Sequence, residues 1–167
     1  AKVIKCVATA GVLSFEEQVG AQQLADDELR AIVEEAHRHK VKVAAHAHGA
    51  EGIRAAVEAG VASIEHGSVL GDAEIDALLA HGTYLVPTAY LRSAIDLDNL
   101  PPLLRRKAES LFPLAEASLK SAIARGVKIA FGADAAVYPH GDNAKEFAVL
   151  VRAGMKPLDA IRSATVG

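Results

Sequence analysis

With a single cysteine, Cys6, in 167 residues, the chain has no partner for an internal disulfide and no basis for a cysteine-built zinc site. Aromatic residues are scarce at 4%, while hydrophobic residues, chiefly Ala, Val, Leu and Ile, reach 51%. That balance suits an α/β protein whose strands are covered on both faces. Basic residues are in deficit, with a formal net charge of -3. No basic stripe is present to neutralise phosphates, so no nucleic-acid partner is expected. No apolar run approaches the roughly 20 residues of a membrane span, so no membrane partner is expected either. The opening residues AKVIKCVA lack a signal-peptide layout, because Lys5 interrupts the apolar stretch and no cleavage region follows. A cytoplasmic location is the expectation, with a secretion signal upstream of Ala1 left open. Both ends read as elements cut from something longer. The length suits one domain with a real core.

The chain is organised around Val41 to Gly67, VKVAAHAHGAEGIRAAVEAGVASIEHG, which reads as strand, helix, strand. Val41, Val43 and Ala45 alternate into His46, with His48 two residues on. Ala50 to Ala59 carries Ile53, Ala56 and Val57 at helical spacing and stops at Gly60. Val61 to Glu65 is short and apolar and delivers His66. In a parallel sheet the carboxyl ends of the strands share one side, so His46 and His66 should lie next to each other there. Two converging imidazoles point to a metal site.

Elsewhere, Lys2 to Ala8 reads as the first strand, followed by a long loop from Thr9 to Ala25. Within that loop Ser14-Phe15-Glu16-Glu17 fits a capping box and a short turn of helix. Asp26 is expected to cap a helix running to about His39, and Asp72 another ending at His81-Gly82. His37, His39 and His81 sit in last turns, where a cation complements the helix dipole, and read as solvated end-charges. Thr83 to Tyr90 reads as a strand with Pro87 near its end, and Leu91 to Pro102 as a second long loop. Leu103 to Arg125 is a long amphipathic helix with Pro113 as a candidate kink. The strand VKIAFGAD ends in Asp134, a helix runs from Asp142 or Asn143 to Ala153, and Pro157 opens a last one. The pattern predicts five strands alternating with helices in one interrupted α/β domain.

Four strand ends present a coordinating or ionisable residue: Lys5, His46, His66 and Asp134. Taken singly, each has a plain explanation. A strand histidine can be a hydrogen-bonded structural residue, Asp134 can cap a turn, and Lys5 can snorkel from a rim. Their position at one end of nearby strands makes the joint reading as a site stronger. His48 points the same way as His46 in a strand, so it is a candidate to orient substrate or support a ligand. Tyr90 and His140 are candidates for the rim.

The run IKCVATAGV, then AHAHG, then SIEHG, then FGADA resembles the amidohydrolase superfamily of metal-dependent (β/α)8-barrel (TIM-barrel) hydrolases. The likeness is nearest to the imidazolonepropionase and Xaa-Pro dipeptidase/carboxypeptidase branch, which includes ochratoxin-degrading amidases. The flanking segments DDELRAIVEEAHRHKVKV and GDNAKEFAVLVRAGMKPLDAIRSAT agree, and the four motifs stand in the family's order. The resemblance implies that the chain covers about strands four to eight of the barrel. It implies that Lys5 is carboxylated by carbon dioxide and bridges two metal ions, with His46 and His66 as ligands of one. Asp134 would bind the other ion and handle the proton. Zn²⁺ suits neutral imidazole and carboxylate donors. The substrate implied is a small amide: an N-acyl amino acid, a dipeptide or a related amide, with His48, Tyr90 and His140 binding it.

The chain departs from the family pattern in one respect. Its one His-x-His, His46-Ala47-His48, belongs to the fifth barrel strand, and the pair expected on the first strand is not in these residues. The expectation is therefore a partial barrel domain without the first strands and the small β domain. The remainder of the barrel would be supplied by the rest of a polypeptide or a second chain, and the complete protein would be a homo-oligomer. The alternative is a catalytically incomplete half-barrel, a fragment or scaffold with no activity of its own.

Overall fold

A computed structural model of the chain describes residues 2–16 and 18–166. Strands β1 (Val3–Val7), β2 (Lys42–Ala47), β3 (Ser63–His66) and β4 (Tyr84–Val86) form one sheet in the order β1-β2-β3-β4. All three pairings are parallel, with Lys5 opposite Ala44, His46 opposite Glu65, and Ser63 opposite Tyr84. Helices α1 (Asp26–Arg38), α2 (Ala50–Ala59) and α3 (Asp72–His81) make the crossovers. The strand order advances without reversing, which rules out the doubly wound arrangement, whose site lies where the order reverses.

Alternation along the strands separates two faces. Cys6, Val43, Ala45, Ala47, Ile64 and Leu85 are all buried and join Leu29, Ile53 and Ile75 of the covering helices in the main core. The opposite face carries Lys5, Val7, Ala44 and His46 and is only partly covered. His37, His39 and His81 are exposed at helix ends, as their sequence positions imply.

Several boundaries differ from expectation. The segment after Gly126 is not a regular strand among the described residues; it meets β4 at a single parallel bridge, Leu85 to Ile129. Leu85 donates its N–H to the Lys128 carbonyl at 2.8 Å, and Ala130 returns one to the Leu85 carbonyl at 3.0 Å. The next rung needs an N–H at residue 87, and proline has none. The same residue ends β4 after three residues, so the expected strand from Thr83 to Tyr90 is much shorter.

Neither expected aspartate caps its helix. The N-caps are Ala25 and Gly71, whose backbone N–H groups are held by the third-position carboxylates Glu28 (2.9 Å) and Glu74 (3.0 Å). Ser14 does not start a helix: residues 12–15 form bends, and its hydroxyl turns back to the Gly11 carbonyl at 2.9 Å. Glu17 of that expected turn lies outside the described residues. The second long loop contains a short helix α4 (Leu91–Ala94) and a 3-10 turn (Leu97–Asn99). Helix α5 (Pro102–Ala124) runs unbroken through Pro113, followed by α6 (Lys145–Arg152) and α7 (Pro157–Ser163).

The loop from Thr9 to Ala25 is pinned at its base and its crest. At the base, Thr9 bridges Gln22, and Ala10 donates to Ala21 at 2.8 Å. Gly20 and Gly49 press backbone to backbone, and a Cβ on Gly49 would collide with the Gly20 carbonyl. Near the crest, Lys107 of α5 donates to the carbonyls of Ser14 (2.7 Å) and Glu16 (2.8 Å). Val12 completes a second small core with Ala108 and Leu111.

Candidate metal centre

Parity along β2 puts His46 on the same face as Lys5 and Val7. His66 pairs in register with Ala47, so regular alternation would send its side chain to the helix layer. It does not go there, because its backbone is left-handed (φ 72) and turns the side chain out of the alternation. Rings of His46 and His66 consequently lie 4.6 Å apart, His46 and His48 4.7 Å apart, and His48 stacks on His66 at 4.9 Å. One ligand atom from each of the three histidines falls within 4.8 Å of the others.

Hydroxyl groups orient two of these rings. His66 Nδ1 lies 2.7 Å from Thr88 Oγ1, and His48 Nδ1 lies 2.8 Å from Ser68 Oγ. The His48 backbone N–H also donates to Thr9 Oγ1 at 2.9 Å. When Nδ1–H donates to a hydroxyl oxygen, Nε2 keeps its lone pair for another partner. Burial, then the neighbouring imidazoles, push the pKa of His48 down to about 3 and that of His66 to about 2. His46 is also lowered, by burial and then by Lys5, with Asp134 partly opposing. All three rings are therefore neutral at pH 7, the form that binds metal.

His46 Nε2 is buried and has no hydrogen-bond partner among the described residues. Leaving such an atom unsatisfied costs about 1–3 kcal/mol. Gly11 faces it, and a Cβ there would come within 3.3 Å of Nε2. An orphaned imidazole nitrogen and two further neutral imidazoles form a donor set that fits a divalent metal ion.

The histidines line a cavity of about 340 Å³ that also exposes Lys5 and Asp134. Asp134, like His66 and Thr88, has a left-handed backbone (φ 50). Its loop is braced by Tyr138, whose hydroxyl donates to the Ala133 carbonyl at 2.7 Å. The far wall is apolar, with Val12 and Leu13 from the first loop and Leu111, Phe112 and Ala115 from α5. Lys5, His46, His48, His66 and Asp134 are thus brought together. Tyr90 and His140 are not among the lining residues. The Tyr90 ring packs edge-on against Tyr138 at 5.0 Å, and His140 is exposed on the following loop.

Sequence reasoning missed Ser68, Thr88, Gly11 and Arg92. Ser68 and Thr88 each follow the carboxyl end of a strand by two residues, a position that could have singled them out. Nothing local marks Gly11 or Arg92.

The family model described as "Amidohydrolase family" matches residues 1–167. Ochratoxinase of Aspergillus niger is 40% identical over 172 residues, covering 99% of this chain and 35% of its own length. The solved structure of a Xaa-Pro dipeptidase with methionine bound in the active site superposes with a TM-score of 0.92 at 42% identity. That match covers 99% of this chain and 42% of the dipeptidase. A prolidase complexed with N-methylphosphonate-L-proline gives a TM-score of 0.89 at 33% identity, covering 99% of this chain and 41% of the prolidase. The chain thus spans well under half the length of these relatives, and its α/β parallel sheet is a section of a (β/α)8 barrel.

Proposed function

Because this chain belongs to the amidohydrolase family, we propose that the protein carrying it is a metal-dependent hydrolase of amide or peptide-like bonds. Its substrates would be N-acyl amino acids, dipeptides or related amides. The observation that carries this reading is the convergence of His46, His48 and His66, with His46 Nε2 orphaned, on the floor of a cavity shared with Lys5 and Asp134. The dipeptidase relative with methionine in its active site supports an amino acid as the product.

Lys5, His46, His66 and Asp134 would hold the metal, taken as two zinc ions, with Lys5 carboxylated to give two oxygen donors. Such ions supply an acidified water and polarise a carbonyl when bound. The chain's own residues do the rest. Thr88 holds the His66 ring in place through Nδ1. Ser68 does the same for His48, which faces the cavity as a group to orient the substrate. The Asp134 carboxylate accepts the proton of the attacking water as the new C–O bond forms. It then delivers that proton to the amide nitrogen as the C–N bond breaks. The apolar wall from the first loop and α5 keeps bulk water from the reacting bond. Tyr90 and His140 retain a role at the rim, where either could meet the part of the substrate outside the cavity.

The test uses the complete polypeptide that carries these residues. Bound metal is measured by elemental mass spectrometry, and amino acid release is assayed over a panel of N-acyl amino acids and dipeptides. Stoichiometric metal and turnover, both lost in His46→Ala, are the expected result. A protein that takes up no divalent metal at this cluster would be the half-barrel scaffold instead.

A further inference from the structure

One cation lining the cavity has no part in the chemistry above. Arg92, on α4, faces the metal-site cavity and also borders a neighbouring cavity of about 630 Å³. It is half-buried, and its guanidinium makes no hydrogen bond and no ion pair within 4 Å among the described residues. The fully buried charges among the described residues, by contrast, have committed partners. Lys107 donates to two carbonyls, and Glu74 pairs with Arg54 at 2.9 Å. Glu146 accepts the backbone N–H groups of Ala89 and Tyr90. Burial lowers the Arg92 pKa, and Glu146 and Glu116 oppose the shift only from a distance. The metal-site cavity that Arg92 lines is apolar along Leu91, Leu111, Phe112 and Ala115, whereas the neighbouring cavity also carries Glu116 and Lys120.

A charge held against apolar surface without a partner is costly, and pairing with an anion relieves that cost. A guanidinium presents a planar fork of donors that matches a carboxylate in two parallel hydrogen bonds. We propose that Arg92 is the carboxylate anchor of the cavity. It would pair with an acid group on the amino-acid half of the substrate while the apolar part of the substrate lies along Phe112 and Leu111. Arg92 touches no reacting atom; it selects and positions. This rests on the amide-hydrolase reading for its substrate, but the cavity and the uncommitted cation are observed independently of it. The acid could be the α-carboxylate or a side-chain carboxylate, which are separable by experiment.

The test compares the complete wild-type protein with Arg92→Gln and Arg92→Lys on three substrates. N-acetyl-L-methionine carries an α-carboxylate, N-acetyl-L-methioninamide carries none, and N-acetyl-L-glutamic acid α-amide carries only the side-chain acid. Wild type should prefer one of the acids over the neutral amide by roughly 30-fold or more in kcat/KM, as expected for a desolvated charge pair. In Arg92→Gln that preference should collapse, chiefly through KM, and Arg92→Lys should restore part of it. Whichever acid loses its advantage identifies the group bound. An acid-to-amide ratio unchanged by Arg92→Gln for both acids would overturn the proposal and leave the hydrolase reading intact. If the metal-loaded protein hydrolyses none of the three and none of the panel of N-acyl amino acids and dipeptides, that reading fails, and Arg92 is decided by calorimetric titration with free L-methionine and L-glutamate. Binding weakened roughly 30-fold in Arg92→Gln would then support the anchor. Equal binding, or none in wild type, would overturn it.

Discussion

At the scale of single residues, buried charge and the special backbone separate working groups from supporting ones. Asp134 keeps its size and shape in Asp134→Asn but loses the base. Turnover of the complete protein should fall at least about 100-fold, with a smaller change in KM. Comparable losses in both, read from steady-state kinetics, would move Asp134 from proton transfer to positioning. Glu146 makes a prediction about pH. Its carboxyl is fully buried, and burial raises its pKa despite the two N–H groups it accepts. The folded state therefore binds the proton more tightly than the unfolded state, whose glutamate titrates near about 4.3. Stability from this group is highest below that value and declines as pH rises through the folded pKa. Urea unfolding across acid to neutral pH should show wild type losing ground to Glu146→Gln as pH increases. Parallel profiles for the two proteins would show that Glu146 does not titrate in this way.

At the scale of elements, the helices were legible and the site-bearing edges less so. Apolar spacing found α1, α2, α3 and α5 because their buried faces repeat over ten or more residues. The last two strands were overread because apolar composition cannot show that Pro87 withholds the next N–H. The His46 and His66 pair was legible from strand ends alone, yet alternation by itself would have parted them. A left-handed residue at position 66 leaves no local signature in the sequence, and neither does the hydroxyl from position 88 that holds its ring. The loop that crests over the cavity was read as a long connection. Its attachment through Lys107 spans more than ninety positions of sequence and could not be read locally. Lys107→Met keeps the length of the side chain on α5 but frees the crest carrying Gly11 to Ser14. KM should rise about 10-fold or more, kcat should change less, and proteolysis should cut within residues 11–19 sooner. The estimate follows the roughly 1.5–3 kcal/mol typical of hydrogen bonds from a charged group. Unaltered KM and cleavage pattern would show that the loop holds itself.

At the scale of the molecule, the sheet is well covered by helices on one side and thinly on the other. On the outer strand Val3 and Val7 are 52% and 53% exposed, and on α7 Leu158 and Ile161 are 57% and 54% exposed. The relatives are more than twice as long as the matched segment. An isolated polypeptide of these 167 residues should therefore self-associate at micromolar concentration. Light scattering and sedimentation would detect this, and a monodisperse, cooperatively unfolding monomer would contradict it.

The left-handed residues that aim the site carry one more consequence, for anyone engineering this protein. His66, Thr88 and Asp134 each hold a conformation that costs non-glycine residues roughly 1–3 kcal/mol. Glycine accepts that conformation far more readily than any of the three. Asp134→Gly, at an exposed position, should raise the melting temperature of the metal-stripped protein while removing its turnover. A lower melting temperature would mean that the backbone there is not under load. If the midpoint does rise, a library selected for heat resistance alone would enrich glycine at positions 66, 88 and 134. Its winners would be durable and inert.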